Sequence, residues 1–180
     1  MIAAIMGVCG CGKTTVGKRL ADRLGWRFFD ADDFHPPANV SKMASGIALT
    51  DEDRWPWLDG LAAALDDSAR LGEHVVLACS ALKQAYRERL TSTHSKLRDV
   101  RWIYLKGDTA SIAPRLAARS GHYMPPTLLA SQFAALEEPT DALVIDIGLT
   151  TEEQVSIIVR ELTGDRGPAA DAGLIVSDST

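Results

Sequence analysis

A glycine-rich motif near the start of the chain lies between an apolar run and an amphipathic stretch. Gly7–Thr14 reads GVCGCGKT, the pattern G-x-x-x-x-G-K-[ST], and it follows Ile2–Met6 and precedes Thr15–Leu24. A strand, such a loop and a helix in this order form a phosphate-binding loop, in which backbone N–H groups and the helix N-terminus attract an anion. Lys13 is expected to reach the β- and γ-phosphates, and the Thr14 hydroxyl can ligate Mg²⁺. The motif therefore predicts binding of a nucleoside triphosphate.

The rest of the chain alternates apolar runs with helical patterns. Strands are predicted at Ile2–Met6, Arg27–Asp30, His74–Cys79, Val100–Leu105 and Ala142–Ile147. Helices are predicted at Thr15–Leu24, Arg54–Leu71, Leu82–Thr91, Thr109–Ala118, Thr127–Ala135 and Glu152–Leu162, the second with Asp53 as its N-cap. This alternation indicates an α/β fold with a parallel sheet covered on both faces, whose active site forms at the carboxyl ends of the strands.

Length and charge limit the other possibilities. The 180 residues suit one domain over residues 1–163, followed by a mobile tail at 164–180. A net charge of −5 argues against nucleic-acid binding, and no apolar run is long enough to span a membrane. The absence of a leader segment and the three cysteines, an odd number, point to the cytoplasm. The four histidines show no spacing typical of a zinc site.

Three carboxylates follow the second predicted strand, within the stretch Phe29–Pro37. Phosphoryl transfer to a hydroxyl needs a group that orients the acceptor and takes its proton, together with support for Mg²⁺. We assign Asp32 to the acceptor and Asp30 to the metal shell, and we expect Asp33 to be structural. The alternative is a solvated turn that caps a helix.

Basic residues near the same predicted sheet edge are candidates for an acidic substrate. Arg54 stands at a helix start, where it gains nothing from the dipole, although a salt bridge to Asp51 or Glu52 is the alternative. Lys83 and Arg87 lie one turn apart on a predicted helix, which would otherwise be a solvated face. The third strand end lacks an acidic metal ligand, so the metal role shifts to Thr14 and Asp30.

A glycine and a proline pair within residues 119–126 suggest a mobile lid between two helices. Arg115, Arg119 and His122 surround this segment, and arginines on a closing lid neutralise the transferring phosphoryl group and exclude water.

The thiols of Cys9 and Cys11 lie beside a predicted helix N-terminus. This position lowers a thiol pKa, so we hypothesise that oxidation or alkylation inhibits the protein and that ATP protects it. The alternative is that both are small side chains that fill the loop.

Several stretches outside the phosphate loop carry a family pattern. They are Asp32–Pro36, Asn39, Lys42–Gly46, Leu49–Arg54, Trp57–Leu58, Cys79–Lys83, Tyr86–Arg87, Tyr104–Gly107, Arg119–Tyr123 and Ser131–Pro139. On these residues and the loop, which together span residues 2 to about 162, the chain resembles gluconokinases of the small phosphate-loop type, related to shikimate and adenylate kinases. The chain departs from the usual family loop, where serine is common at the two cysteine positions.

The resemblance implies an activity, a fold and an assembly. The activity is ATP + D-gluconate → ADP + 6-phospho-D-gluconate, with a Mg²⁺ requirement, commonly in a homodimer. The fold is a three-layer α/β/α nucleoside monophosphate kinase type with a five-stranded sheet in order 2-3-1-4-5, a lid, and a substrate-binding segment at about residues 32–58.

Motif and resemblance together imply a set of site residues. The catalytic candidates are Lys13, Asp32 and Arg119. The nucleotide candidates are Gly7, Val8, Cys9, Gly10, Cys11, Gly12, Lys13, Thr14, Thr15, Arg115 and Arg119. The substrate candidates are Asp32, His35, Lys42, Met43, Gly46, Arg54, Ser80, Lys83, Arg87, His122 and Gln132. The metal candidates are Thr14 and Asp30.

Three rival functions stay open at this point. The first is another small-molecule kinase of the same fold, which would act on shikimate or a nucleoside monophosphate. The gluconokinase-like stretches count against this rival. A nucleotide-dependent switch would transfer phosphate to water, but the chain has neither a guanine-reading Asn-Lys-x-Asp nor a water-orienting Gln in an equivalent loop. An RNA-end kinase would need a basic groove, which the net charge disfavours.

Overall fold

Five strands form one parallel sheet whose central strand is apolar and buried along its whole length. The computed structural model describes residues 1–92, 99–117 and 128–164. The strands are β1 (Ile2–Met6), β2 (Arg27–Asp30), β3 (Val75–Ala78), β4 (Val100–Lys106) and β5 (Leu143–Asp146). Their order is β2-β3-β1-β4-β5, and every adjacent pair is parallel. The predicted fold class and strand order are therefore confirmed.

Helices connect the strands. They are α1 (Lys13–Leu24), α2 (Pro37–Ala44), α3 (Asp51–Arg70), α4 (Gln84–Ser92), α5 (Thr109–Ala117), α6 (Leu129–Ala135) and α7 (Thr151–Thr163), with a 3₁₀ turn at Ala31–Phe34. The sequence did not predict the 3₁₀ turn or α2. Across the three described ranges, no helix combines the length and apolar character needed to cross a membrane.

The start of α3 differs from the expectation. Asp53 was predicted as its N-cap, but the N-cap is Thr50, whose hydroxyl accepts a hydrogen bond from the Asp53 backbone N–H. The Asp53 carboxylate in turn accepts from the Thr50 N–H, which completes a capping box. The helix therefore begins at Asp51 and carries Arg54 in its first turn.

The sheet separates two apolar cores because alternate residues of a strand point to opposite faces. On β1, Ala3 and Ile5 join the core that contains Leu20 of α1 and Ile158 of α7. Ile2, Ala4 and Met6 join the opposite core, which contains Leu58, Leu61 and Leu65 of α3 together with Leu90 of α4. Both faces of the sheet are thus covered by helices, which leaves the carboxyl ends of the strands as the accessible edge.

Close packing of α1 on the sheet depends on Gly17, which is buried. A Cβ at this position would lie 2.7 Å from Cε2 of Phe28 on β2 and 3.6 Å from Cδ1 of Ile5 on β1. The glycine lets the helix approach the strands, which sets the position of the phosphate-binding loop at the helix N-terminus.

Candidate active site

A cavity of about 400 Å³ opens at the carboxyl ends of the strands. It lies where the loop after β1, the acidic turn after β2 and the turn after β3 meet. Its wall is formed by Cys9, Gly10, Gly12, Lys13, Thr14, Thr15, Asp30, Asp32, His35, Met43, Leu49, Arg54, Trp57, Ser80, Leu82, Tyr86, Arg115 and Gln132. Fourteen of these are site residues proposed from the sequence, so the fold brings most of the proposed site together.

The loop between β1 and α1 has the backbone of an anion cradle. Gly10 has φ +84° and Gly12 has φ +104°, a left-handed region that side chains disfavour, and a Cβ on Gly12 would meet nothing within 4 Å. The Lys13 ammonium folds back over this loop and donates hydrogen bonds to the carbonyls of Gly7 at 3.0 Å and Val8 at 3.1 Å. The loop therefore holds a cation at its centre and an open side at Gly12, as a phosphate site requires.

Two helices that are distant in sequence hold the loop. Gln132 of α6 accepts a hydrogen bond through Oε1 from the Cys9 backbone N–H at 2.6 Å. On α5, the Leu116 side chain lies so close to Gly10 that a Cβ there would be 2.8 Å from its Cδ1. Gln132, a substrate candidate from the sequence, thus lines the cavity and also contacts the phosphate-binding loop. Arg115, also on α5, donates from Nη2 to the Ile147 carbonyl at 2.9 Å.

The acidic turn after β2 combines a structural and a ligand-like role. Asp30 Oδ2 accepts from the Thr14 hydroxyl at 2.9 Å, and Asp30 Oδ1 accepts from the Asp32 backbone N–H at 3.2 Å. Asp30 therefore caps the 3₁₀ turn, as the alternative interpretation held, and it also stands beside the predicted metal-ligating hydroxyl. Asp32 lies in the cavity wall, and Asp33 is exposed.

His35 stacks on Trp57 at the cavity wall, with ring centroids 4.1 Å apart and planes at 17°. Trp57 is itself held by a hydrogen bond from Nε1 to the Ala31 carbonyl at 2.8 Å. Burial lowers the pKa of His35 to about 4. The nearby Arg54 cation lowers this pKa further, whereas the Asp32 carboxylate raises it. The ring is therefore neutral at pH 7, and its buried Nδ1 has no hydrogen-bond partner among the described residues.

Arg54 is a fixed cation in the same wall. Its Nη1 donates to the Leu49 carbonyl at 2.5 Å and to the Tyr86 hydroxyl at 3.3 Å. Nη1 also lies 3.8 Å from Asp51 Oδ1. Arg54 therefore lines the cavity and also forms the ion pair with Asp51 that was the alternative interpretation. The first turn of α3 thus supplies a cation opposite the phosphate-binding loop.

Comparisons with known proteins agree with this geometry. The family model for shikimate kinase matches residues 9–160. A gluconokinase from Gluconobacter oxydans is 44% identical over 158 residues, which cover 88% of this chain and 86% of the relative. The structure of a gluconokinase from Sinorhizobium meliloti 1021 has a TM-score of 0.75 at 34% identity and covers 92% of this chain and 97% of its own. The unliganded structure of a sugar kinase from Janibacter sp. HTCC2649 has a TM-score of 0.83 at 41% identity and covers 90% and 94%, respectively.

The chain belongs to the gluconokinase family. The resemblance stated from the sequence and the prediction of a kinase are therefore confirmed. The identity to gluconokinases extends over most of the chain, and the family model for shikimate kinase covers residues 9–160, which include the acidic turn and α3.

Four substrate candidates of this gluconokinase-family chain lie outside the cavity wall, namely Lys42, Gly46, Lys83 and Arg87. Lys42 Nζ pairs with Asp53 at 2.5 Å, and Lys83 Nζ donates to both oxygens of Asp51 at 2.9 Å. Lys83 lies directly before α4, and its carbonyl accepts a hydrogen bond from the Arg87 backbone N–H at 3.3 Å, so the two residues are one turn apart as predicted, with Lys83 just outside the helix.

Arg87 has a structural setting within the family fold. It is 7% exposed and donates from Nη1 to the carbonyls of Ala81 and Leu82, at 3.0 and 3.1 Å. The alternative of a solvated helix face is therefore wrong for Arg87, because its guanidinium donates inside the turn that follows β3, and its ligand role stays a prediction.

The expectation of a lowered thiol pKa is wrong for Cys11. Burial raises the pKa of its thiol, and the nearby Lys13 ammonium opposes this only in part. Burial likewise raises the pKa of Cys79 to about 12. Cys9 and Cys11 are both buried, 7% and 1% exposed, in the core beneath the loop. The interpretation of small side chains that fill the loop is therefore the better one.

Some predictions fall outside the described residues, namely those for Arg119, His122, the lid at 119–126 and nearly all of the tail at 164–180. Conversely, four wall residues were missed: Leu49, Trp57, Leu82 and Tyr86. The sequence held a signal for Trp57, because it lies three residues after Arg54 and therefore on the same side of a helix. Tyr86 lies three residues after Lys83, but nothing in the spacing connects it with Arg54.

Proposed function

We propose that this chain transfers the γ-phosphoryl group of ATP to the 6-hydroxyl of D-gluconate, producing ADP and 6-phospho-D-gluconate. The observation that carries the proposal is that one cavity joins a phosphate-binding loop, the Asp32 carboxylate and the Arg54 cation. These are the three elements needed for a triphosphate donor, an alcohol acceptor and an acidic substrate.

The donor side is the loop Gly7–Thr14. Its backbone N–H groups and the α1 N-terminus suit the phosphates, and the Lys13 ammonium neutralises charge that develops on the transferred group. Arg115 lies in the wall on the same side. We assign Arg119 and His122, which lie outside the described residues, to the lid as the sequence predicts.

Mg²⁺ fits the donor set between the loop and the acidic turn. The Thr14 hydroxyl oxygen and the Asp30 carboxylate are hard oxygen ligands 2.9 Å apart, and Mg²⁺ in nucleotide sites takes one or two such ligands together with waters and phosphate oxygens. When bound there, the ion would neutralise phosphate charge and fix the donor geometry.

The acceptor side is formed by the acidic turn, α2 and α3. Asp32 orients the acceptor hydroxyl and takes its proton as the phosphoryl group transfers. Arg54 pairs with the carboxylate at the other end of the sugar acid, as a guanidinium does in a fork of two hydrogen bonds. Neutral His35 can exchange a hydrogen bond with a hydroxyl, and Met43 and Trp57 contribute apolar wall.

We retain two further expectations as proposals, the homodimer that the resemblance implies and the cytoplasmic location expected from the sequence. Light scattering after size-exclusion chromatography tests the first, and fractionation of cells that contain the native protein tests the second.

The function is tested by ADP release from MgATP with D-gluconate, shikimate, AMP or no acceptor. Gluconate-dependent ADP release, with stoichiometric 6-phosphogluconate detected by its dehydrogenase, is the expected result. Lys13→Ala is the blank, because it removes the cation of the loop. Equal ADP release under all four conditions would instead make the protein an ATPase, and activity with shikimate or AMP alone would change the acceptor.

A further inference from the structure

The orientation of Arg54 depends on contacts that the sequence did not predict. Both hydrogens of its Nη1 have acceptors, the Leu49 carbonyl at 2.5 Å and the Tyr86 hydroxyl at 3.3 Å. The guanidinium carbon also lies 5.4 Å from the centroid of the Tyr86 ring. With Nη1 engaged, Nη2 and Nε are the donors that a ligand in the cavity can use, and these two nitrogens form one edge of the planar group.

The Tyr86 hydroxyl can accept from Arg54 because its own hydrogen is used elsewhere. It donates to Asp51 Oδ1 at 2.5 Å. A phenol has one hydrogen and two acceptor lone pairs, so a hydrogen held by Asp51 leaves lone pairs for the Arg54 Nη1. Tyr86 is 4% exposed and both hydrogen bonds are partly buried, so its hydroxyl is fixed between Arg54 and Asp51.

Asp51 is held in turn by Lys83, whose Nζ donates to both carboxylate oxygens at 2.9 Å. The same ammonium lies 5.5 Å from the centroid of the Tyr86 ring. Asp51 comes from the first turn of α3, Lys83 from the turn after β3 and Tyr86 from α4. We call Asp51, Lys83 and Tyr86 the Arg54 clamp. They come from three separate segments and are linked to one another and to the Arg54 guanidinium.

We propose that the Arg54 clamp, Asp51, Lys83 and Tyr86, sets the orientation of Arg54 so that its Nη2–Nε edge receives the carboxylate of the acceptor. The three are positioning residues and do not touch the substrate carboxylate themselves. The proposal rests on the proposed function, in which Arg54 binds that carboxylate.

A clamped guanidinium favours one class of acceptor. A planar carboxylate can accept two parallel hydrogen bonds from a fixed edge, whereas an aldehyde or a primary alcohol at the same carbon cannot. Less ordering is then needed when the sugar acid binds, which raises affinity without a new contact. The clamp therefore selects polyols that end in a carboxylate over neutral sugars.

Tyr86→Phe is the central test, because it keeps the ring and removes only the hydroxyl. We expect the KM for D-gluconate to rise by about ten-fold, the size of one lost hydrogen bond to a charged group, while the KM for MgATP changes by less than about two-fold. Tyr104→Phe is the matched control, since Tyr104 is 3% exposed, has its hydroxyl 3.5 Å from Glu138, and lies outside the cavity wall. Asp51→Asn is the second variant and should change the gluconate KM in the same direction.

A double-mutant cycle separates positioning from a general structural effect. In an Arg54→Ala background, Tyr86→Phe should have no further effect on the gluconate KM, because the group that it positions is gone. An unchanged gluconate KM in both Tyr86→Phe and Asp51→Asn, or an equal effect of Tyr86→Phe with and without Arg54, would overturn the clamp while leaving the proposed function intact. Wild-type protein with no gluconate-dependent ADP release would instead overturn the proposed function itself, and the clamp with it.

Discussion

The Thr14 hydroxyl donates a hydrogen bond to Asp30 Oδ2 at 2.9 Å, which joins the N-terminus of α1 to the end of β2. Thr14 belongs to the phosphate-binding loop and Asp30 to the acidic turn, so this bond fixes the relative position of the donor and acceptor sides. It also brings together the two oxygen ligands that we assign to Mg²⁺.

Asp30→Asn should weaken the response to Mg²⁺. The amide oxygen can still accept from the Asp32 N–H and cap the 3₁₀ turn, but the negative charge that favours a divalent cation is lost. We expect the Mg²⁺ concentration for half-maximal activity to rise by about ten-fold, measured by titration at saturating ATP and gluconate. Asp33→Asn, which changes an exposed carboxylate of the same turn, is the control. Equal Mg²⁺ titrations for both variants would remove Asp30 from the metal shell.

Asp32→Asn should reduce turnover and leave nucleotide binding intact. The amide keeps the shape of the side chain but cannot take the acceptor proton, and positioned bases typically contribute about 10²- to 10⁴-fold. We expect kcat to fall by at least about 10²-fold while the calorimetric Kd for a non-hydrolysable ATP analogue stays within about two-fold. Wild-type turnover in this variant would contradict the assignment of Asp32 as the base.

His35 makes stability depend on pH in a predictable direction. Its folded-state pKa of about 4 lies below the ordinary 6.5, so between these values the unfolded chain binds a proton that folded His35 does not. Stability therefore falls as the pH drops through this window. The control is His35→Phe, which keeps a ring against Trp57 but does not titrate. Between pH 7 and 4.5, the free energy of unfolding of the wild type should fall by about 1 to 2 kcal/mol more than that of the variant, allowing for partial solvent screening. Urea denaturation of both proteins at several pH values measures this difference, and parallel curves would contradict it.

Gly17 and Gly60 should respond oppositely to alanine, although both lie inside helices. Gly60→Ala places a Cβ in open space and should stabilise the fold by about 0.5–1 kcal/mol through helix propensity. Gly17→Ala drives a Cβ to 2.7 Å from the Phe28 ring and should destabilise it by about 1–2 kcal/mol. Chemical denaturation of the two variants measures the sign of each change in the free energy of unfolding. A stabilised Gly17→Ala would mean that α1 is not held close to the sheet as described.

The parts of the fold that follow local rules could be predicted from the sequence. Strands with apolar runs can be read from the sequence: β1 and β2 have the predicted bounds, β4 is one residue longer at its end, and β3 and β5 are one residue shorter at each end. Helix α2 was missed because its eight residues are too few for a periodic pattern, and they begin directly after a proline.

The errors in the candidate site come from contacts between distant residues. Lys83 and Asp51 are 32 positions apart, and no spacing rule connects them. Arg87 is buried because the chain turns at Ala81, where φ is +40°, and the carbonyls of this turn accept from its guanidinium. The Cys11 pKa follows burial by the tertiary fold, which outweighs the adjacent helix N-terminus from which the sequence argument began.

The stack of His35 on Trp57 gives the molecule a built-in optical reporter. Among the tryptophans of the chain, Trp57 is the one that lies in the described cavity wall. A sugar acid that displaces solvent from this wall changes the polarity around an indole ring that is already in contact with a titratable imidazole. We therefore expect acceptor entry to change the intrinsic fluorescence, which can be measured without a label and before any phosphoryl group has moved.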